Sequence, residues 1–177
     1  MKSPPITYLL DKGIIRRVFE AEVRVIHGKP LLQSQVLAVT AYNTLLELGL
    51  SGFITSETRT FAFRVNELIA NSICKSLITL SPGKYFKRWV RRLLGYGFNK
   101  EDSEIISYAC FGVDHLNKSL GTEVILTMDK GLRKNYVHRF NEINKRFVRM
   151  TSHLKFPYRD LNLPKIISVA EFLYFLE

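Results

Sequence analysis

Cysteine is nearly absent from this chain. Its 177 residues hold only Cys74 and Cys110, far apart and outside any CxxC or Cys/His spacing. That excludes a disulfide framework and a zinc site, and leaves two buried, reduced thiols as the expected state. The four histidines, His27, His115, His138 and His153, also lack metal-like spacing and read as surface or loop residues. No apolar run approaches the roughly 20 residues of a membrane helix. Met1, Lys2 and Ser3 lead straight to Pro4 and Pro5, and the apolar patch behind them, Ile6–Leu10, is too short for the core of a signal peptide. A cytoplasmic location without a membrane span is the expectation. Internal repeats and low-complexity tracts are missing as well. Acids are scarce beside bases: 16 Asp and Glu face 26 Lys and Arg, for a net charge of +10. Such a balance favours a polyanionic partner, nucleic acid ahead of an acidic membrane surface.

With 46% hydrophobic residues, the length suits one sizeable core and a single domain. The chain is organised around Thr122–Leu132, TEVILTMDKGL. Val124, Ile125 and Leu126 form a β-branched, wholly apolar run ending at Thr127, and Asp129 follows two residues later, ahead of Gly131. A run apolar on both faces suits a central parallel strand covered by helices, and ligands of such sheets collect beyond the carboxyl ends of the strands.

In chain order, Ile6–Leu10 reads as a strand. Asp11, Lys12 and Gly13 break it before a helix with Ile14, Ile15, Val18 and Phe19 on one face. Asp11 therefore stands at a strand end and a helix start, where it can serve as an N-cap. Residues 31–50 hold a core helix whose apolar face is expected at Leu32, Val36, Val39 and Leu46, with Gly49 as its stop. Phe53–Thr55 forms a second strand, and a helix runs from Ser56 to about Ile73. Ser81, Pro82 and Gly83 read as a loop. The next helix places Phe86, Trp89, Val90 and Leu93 on its inner face. Asp102 opens a further helix with Ile105, Ile106, Ala109 and Cys110 inward, where it could act in a capping box with Asn99. Pro157 and Pro164 bracket an irregular linker, followed by a last strand, KIISV, and a closing helix.

Strands alternating with helices argue for an α/β fold, a three-layer α/β/α sandwich with a mostly parallel central sheet. The positive charge is concentrated in two blocks. Lys84–Lys100 carries six basic residues and no acid, and Lys130–Arg149 carries seven against Glu142 alone. The candidate phosphate-facing residues are Lys84, Lys87, Arg88, Arg91 and Arg92, with Arg133 and Lys134. Trp89 belongs with the apolar set and reads as core. Asp11, Asp102 and Asp129 each fall at a strand's carboxyl end or in a helix's first turn. Each alone has a capping explanation. Converging on one sheet edge, they would repel unless a cation or proton compensated, and Mg²⁺ or Mn²⁺ is the natural hard cation.

On these pieces the chain resembles the PIN domain family, metal-dependent nucleases found among toxin halves of toxin-antitoxin pairs and RNA-processing enzymes. The resemblance rests on YLLDKGIIRRVF, EDSEIISYA, VILTMDKGL and KIISVAEFLYFLE, which follow the family's order across nearly the whole chain. It implies a PIN-like fold and a metal site of Asp11, Asp102 and Asp129, with the Thr127 hydroxyl behind the ligands. It also implies Mg or Mn as cofactor, RNA as substrate, an antitoxin-like protein partner, and the dimers common in the family. Two positions depart from the pattern: the family's Glu on the helix after the second strand corresponds to Ala62, and its Asn after the first Asp corresponds to Gly13. Glu57 can turn a carboxylate toward the site without matching the motif, and Glu67 is a poorer substitute.

The leading expectation is a Mg/Mn-dependent ribonuclease with a basic RNA-binding face. The alternative is a degenerate, non-catalytic PIN domain that binds RNA or a protein partner. A third reading is a basic α/β protein whose acids only cap helices.

Overall fold

The computed structural model describes residues 6–175, so the leader reading at Met1–Pro5 lies outside the described residues, as do the last two residues, 176–177, of the stretch read as a closing helix. β1 (Thr7–Leu10) is flanked by β2 (Ser51–Thr55) and β5 (Val124–Thr127). β3 (Ile78–Pro82) and β4 (Gly112–Val113) extend the sheet beyond β2, and β6 (Lys165–Ser168) lies beyond β5. All pairings are parallel except β3 with β4. The expected mostly parallel α/β sheet is what forms. Strand period places Tyr8, Leu10, Ile54, Val124 and Leu126 in one core and Leu9, Phe53, Leu80 and Ile125 in another.

Helices pack on both faces, as a three-layer arrangement requires. The first core takes α1 (Lys12–Ile26), α2 (Gln33–Glu47), α3 (Ser56–Val65), α4 (Glu67–Cys74) and α8 (Val169–Tyr174). The second takes α5 (Phe86–Gly95), α6 (Lys100–Phe111) and α7 (Lys130–Thr151). Trp89 is fully buried there, edge-on to Phe147, with centroids 5.1 Å apart. Cys74 and Cys110 are buried free thiols. Among the described residues, no helix is long and apolar enough to cross a membrane.

Three local expectations need correction. The helix expected from Ser56 to about Ile73 is two helices. Asn66 adopts an extended conformation, with φ −162° and ψ 114°, and its side chain accepts the Ile69 N–H at 3.2 Å, starting α4 afresh. The inner face of α2 is Gln35, Ala38, Ala41, Tyr42 and Leu45, while Leu32 and Val36 are exposed. Small alanines let the helix approach its neighbours closely, so size complementarity outweighs the larger apolar residues. Ser81 and Pro82 belong to β3, not to a loop. Gly83 does turn the chain: a Cβ there would collide with the Phe111 carbonyl oxygen, so only glycine lets the lead into α5 pass this close to α6.

Candidate functional site

The chain runs from β1 to β2 and β3 on one side of the sheet, then returns to β5 and β6 on the other. The order reverses between β1 and β5, and their carboxyl ends open the crevice where ligands of such sheets bind. Asp11 follows β1 and Asp129 follows β5. The Asp11 amide donates to Leu126 O at 3.0 Å, prolonging the ladder and bringing the two ends together.

Asp11 occupies the N-cap position of α1 without a side-chain cap bond. The capping explanation fails for its carboxylate. Instead, the Thr127 hydroxyl donates to Asp11 Oδ2 at 2.7 Å. Burial raises the Asp11 carboxyl above the usual carboxylate range; the Thr127 bond and the nearby Lys12 and Gly13 amides work against that rise, and the charge of Asp129 adds to it. A Cβ on Gly13 would lie 3.6 Å from Asp11 Oδ2, an ordinary contact, so glycine there leaves Asp11 uncrowded.

Thr127 is fully buried, and its hydroxyl oxygen also accepts the Asp129 N–H at 2.9 Å. One hydroxyl thereby spaces two acids. Asp129 does cap its helix: its Oδ1 accepts from Gly131 N at 2.6 Å and Leu132 N at 3.1 Å. Among the described residues, no protein donor reaches its Oδ2.

Asp102 sits in the first turn of α6, and its amide donates to Asn99 Oδ1 at 2.8 Å. The return bond of a capping box, from the Asn99 N–H to the Asp102 carboxylate, does not form. Burial first, then the charges of Asp129, Asp11 and Glu101, push the Asp102 carboxyl up to about 6. The three aspartates thus lie near enough to act on one another. Beside them the structure assembles acids that the motif reading passed over. Asp11, Glu57, Glu101 and Glu104 line a cleft of about 110 Å³, with Tyr108 on its wall. Glu104 is raised by burial, Glu57 and Glu101, while Lys100 at 3.8 Å opposes the rise. Residues 101, 104, 105 and 108 form one helical stripe, a spacing the sequence did contain. Tyr108 and Ser56 approach at 3.2 Å between their hydroxyls, closing the cleft between α6 and α3.

Ala62, the position matched to the family's Glu, is 1% exposed and packs in the core of the α1–α4 side. It does not line the cleft. Glu67 is exposed at the start of α4. Lys84, Lys87, Arg88, Arg91, Arg92 and Lys134 are all exposed and form no ion pair among the described residues. Lys87 and Arg91 share a groove with Glu57 and Glu104, so the basic helix adjoins the acidic cleft. Arg133 differs: it is bound to Glu171 at 2.8 Å.

Among the described residues, no three His, Cys, Asp or Glu side chains stand together as a ready metal-holding group. The donor chemistry nonetheless suits a hard divalent cation: carboxylate oxygens, with Asp102 buried and, among the described residues, no Lys or Arg ion pair at Asp11, Asp102 or Asp129. No protein-family model matches the chain, and no curated protein or solved structure matches it.

Proposed function

We propose that this chain is a PIN-like, metal-dependent nuclease that hydrolyses RNA phosphodiester bonds. The observation that carries the reading is that Asp11 and Asp129 meet beyond the ends of β1 and β5 through the Thr127 hydroxyl, and the Asp102 carboxyl beside them is pushed up by burial first and by their charges next. Lys12 lines the cleft and Lys100 pairs with Glu104, yet among the described residues neither makes an ion pair with the aspartates; like charges so gathered cost free energy, and a bound cation relieves that cost. Asp11, Asp102 and Asp129 would hold Mg²⁺ or Mn²⁺. When bound there, such an ion supplies an activated water and neutralises charge developing on the scissile phosphate. Thr127 fixes the Asp11 carboxylate through its 2.7 Å bond. Lys87 and Arg91, across the groove from Glu57 and Glu104, hold the RNA backbone at the cleft's mouth, and Lys84, Arg88, Arg92 and Lys134 extend its reach.

The test is Asp129→Asn. Asparagine retains an oxygen for the Gly131 and Leu132 amides, so the fold should survive while Mn²⁺-dependent cleavage of RNA is lost. Undiminished cleavage refutes the assignment. The non-catalytic reading draws on the lack of three ready ligands among the described residues. It requires salt-sensitive RNA binding that survives EDTA and shows no turnover.

A further inference from the structure

A closed circuit of contacts surrounds the Asp129 turn. At the ends of the paired strands β5 and β6, Thr127 and Ser168 are register partners. Ser168 caps α8, and both its N–H and its hydroxyl donate to Glu171 Oε2 at 2.7 Å. The same oxygen receives the Arg133 guanidinium at 2.8 Å. Arg133 stands in the first turn of α7, the turn that Asp129 caps through Gly131 and Leu132. From Asp129 the path returns to Thr127 through the 2.9 Å amide bond, and on to Asp11.

We propose that Arg133 and Glu171 are positioning residues: their ion pair ties the first turn of α7 to the β6–α8 unit and thereby fixes the Asp129 carboxylate relative to Asp11. The proposal rests on the metal-site reading and takes Arg133 out of the phosphate-binding set. Geometry favours this use of Arg133. Its 2.8 Å approach to Glu171 is shorter than the other ion pairs among the described residues, and Glu171 is already oriented by two Ser168 donors. An acceptor held in this way gives the arginine a fixed anchor. Residues that orient ligands without touching the ion typically change metal affinity by about 10–100-fold.

The experiment compares wild type, Arg133→Ala, Arg133→Lys and Glu171→Gln. Three readouts are taken: Mn²⁺ affinity by calorimetry, hydrogen exchange at the Gly131 and Leu132 amides, and the salt slope of oligouridine binding. The expected result is Mn²⁺ binding weakened by about tenfold in Arg133→Ala and Glu171→Gln, with substantial recovery in Arg133→Lys. Exchange at Gly131 and Leu132 should accelerate while α6 amides stay protected, and the salt slope should not change. Unchanged exchange together with a slope reduced by about 0.7 makes Arg133 a phosphate ligand and overturns the proposal. Unchanged exchange and unchanged Mn²⁺ affinity overturn it as well. If wild type binds no Mn²⁺, the metal-site reading fails by itself, and the two amides decide whether the clamp exists.

Discussion

Replacing Asp102 by asparagine should stabilise the protein in the absence of metal and destabilise it, relative to wild type, in its presence. Asp102 keeps a folded-state value of about 6 against an ordinary 3.8. Between those values the folded chain binds more protons than the unfolded chain, so stability falls as pH rises from about 4 to about 6 and stays reduced above that. Taken at face value the shift corresponds to about 3 kcal/mol. Water reaches part of this carboxylate, so screening reduces the penalty to the order of 1 kcal/mol. Asparagine keeps the shape and removes the charge. At pH 7.5 in EDTA the variant should melt about 2–4 °C above wild type, the shift expected for 1 kcal/mol in a domain of this size.

Below about pH 4 the advantage should disappear, because the wild-type carboxyl is then protonated in both states. With Mn²⁺ at about 100 times its dissociation constant, wild type should gain about 2.7 kcal/mol and overtake the variant. Thermal and urea melts across pH 4–8, with EDTA or Mn²⁺, read all of these effects. Two results would refute the reasoning: a variant less stable than wild type at pH 7.5 without metal, or one whose stability keeps the wild-type pH dependence. Either would mean that Asp102 is held by favourable contacts and not strained by Asp129 and Asp11.

Thr127→Val removes the donor to Asp11 and leaves the Asp129 N–H without its acceptor; a loss of about 1–3 kcal/mol is expected in melts, with Thr127→Ser restoring most of it. The combined change of Arg88, Arg91 and Arg92 to glutamine should lower the salt slope of single-stranded RNA binding by up to about 2 while the melting temperature holds; an unchanged slope would remove α5 from the RNA surface. Gly131→Ala places a Cβ 3.1 Å from Asp129 Oδ1, and hydrogen exchange at the first turn of α7 should report a weakened cap. Ala62→Glu would bury an unpaired carboxylate among apolar side chains at a cost of about 3–5 kcal/mol; a variant as stable as wild type would show that this position opens to the cleft after all.

Much of the frame was legible because it is written in strong local signals. Val124–Thr127 is buried at every position and carries only apolar residues before its threonine, so period and composition agree. Asp11 and Asp129 could be placed because a strand end and a helix start leave little choice of edge. β3 escaped because only Leu80 is buried in a strand whose end, Ser81–Pro82, looks like a turn. The break at Asn66 has no glycine or proline, and its signal in the sequence is a capping side chain followed by Glu67. The family's Glu position falls at Ala62, six residues past Ser56, and at about 100° per residue that spacing lands on the core face. Glu104 stands among apolar residues and matches no motif, and only the approach of α6 to the start of α3, where Tyr108 meets Ser56, brings it into one cleft with Glu57.

The distribution of acids also explains how Asp11, Asp102 and Asp129 can stand at and beside this cleft with no basic side chain paired to them among the described residues. Asp129 caps α7, Asp102 and Glu101 lie in the first turn of α6, and Glu57 lies in the first turn of α3. Each carboxylate faces the positive end of a helix, worth typically 0.3–1 kcal/mol. That lessens the repulsion without cancelling it, since Asp102 still rises to about 6. Asp11 is the exception. It stands at the start of α1, yet it makes no side-chain cap bond and takes its hydrogen bond from Thr127. A carboxylate serving only to start a helix would turn to the free amides, as Asp129 does. Thr127 instead holds Oδ2 of this half-buried carboxylate at the mouth of the crevice, and the neighbouring Lys12 and Gly13 amides offset part of the cost of its burial.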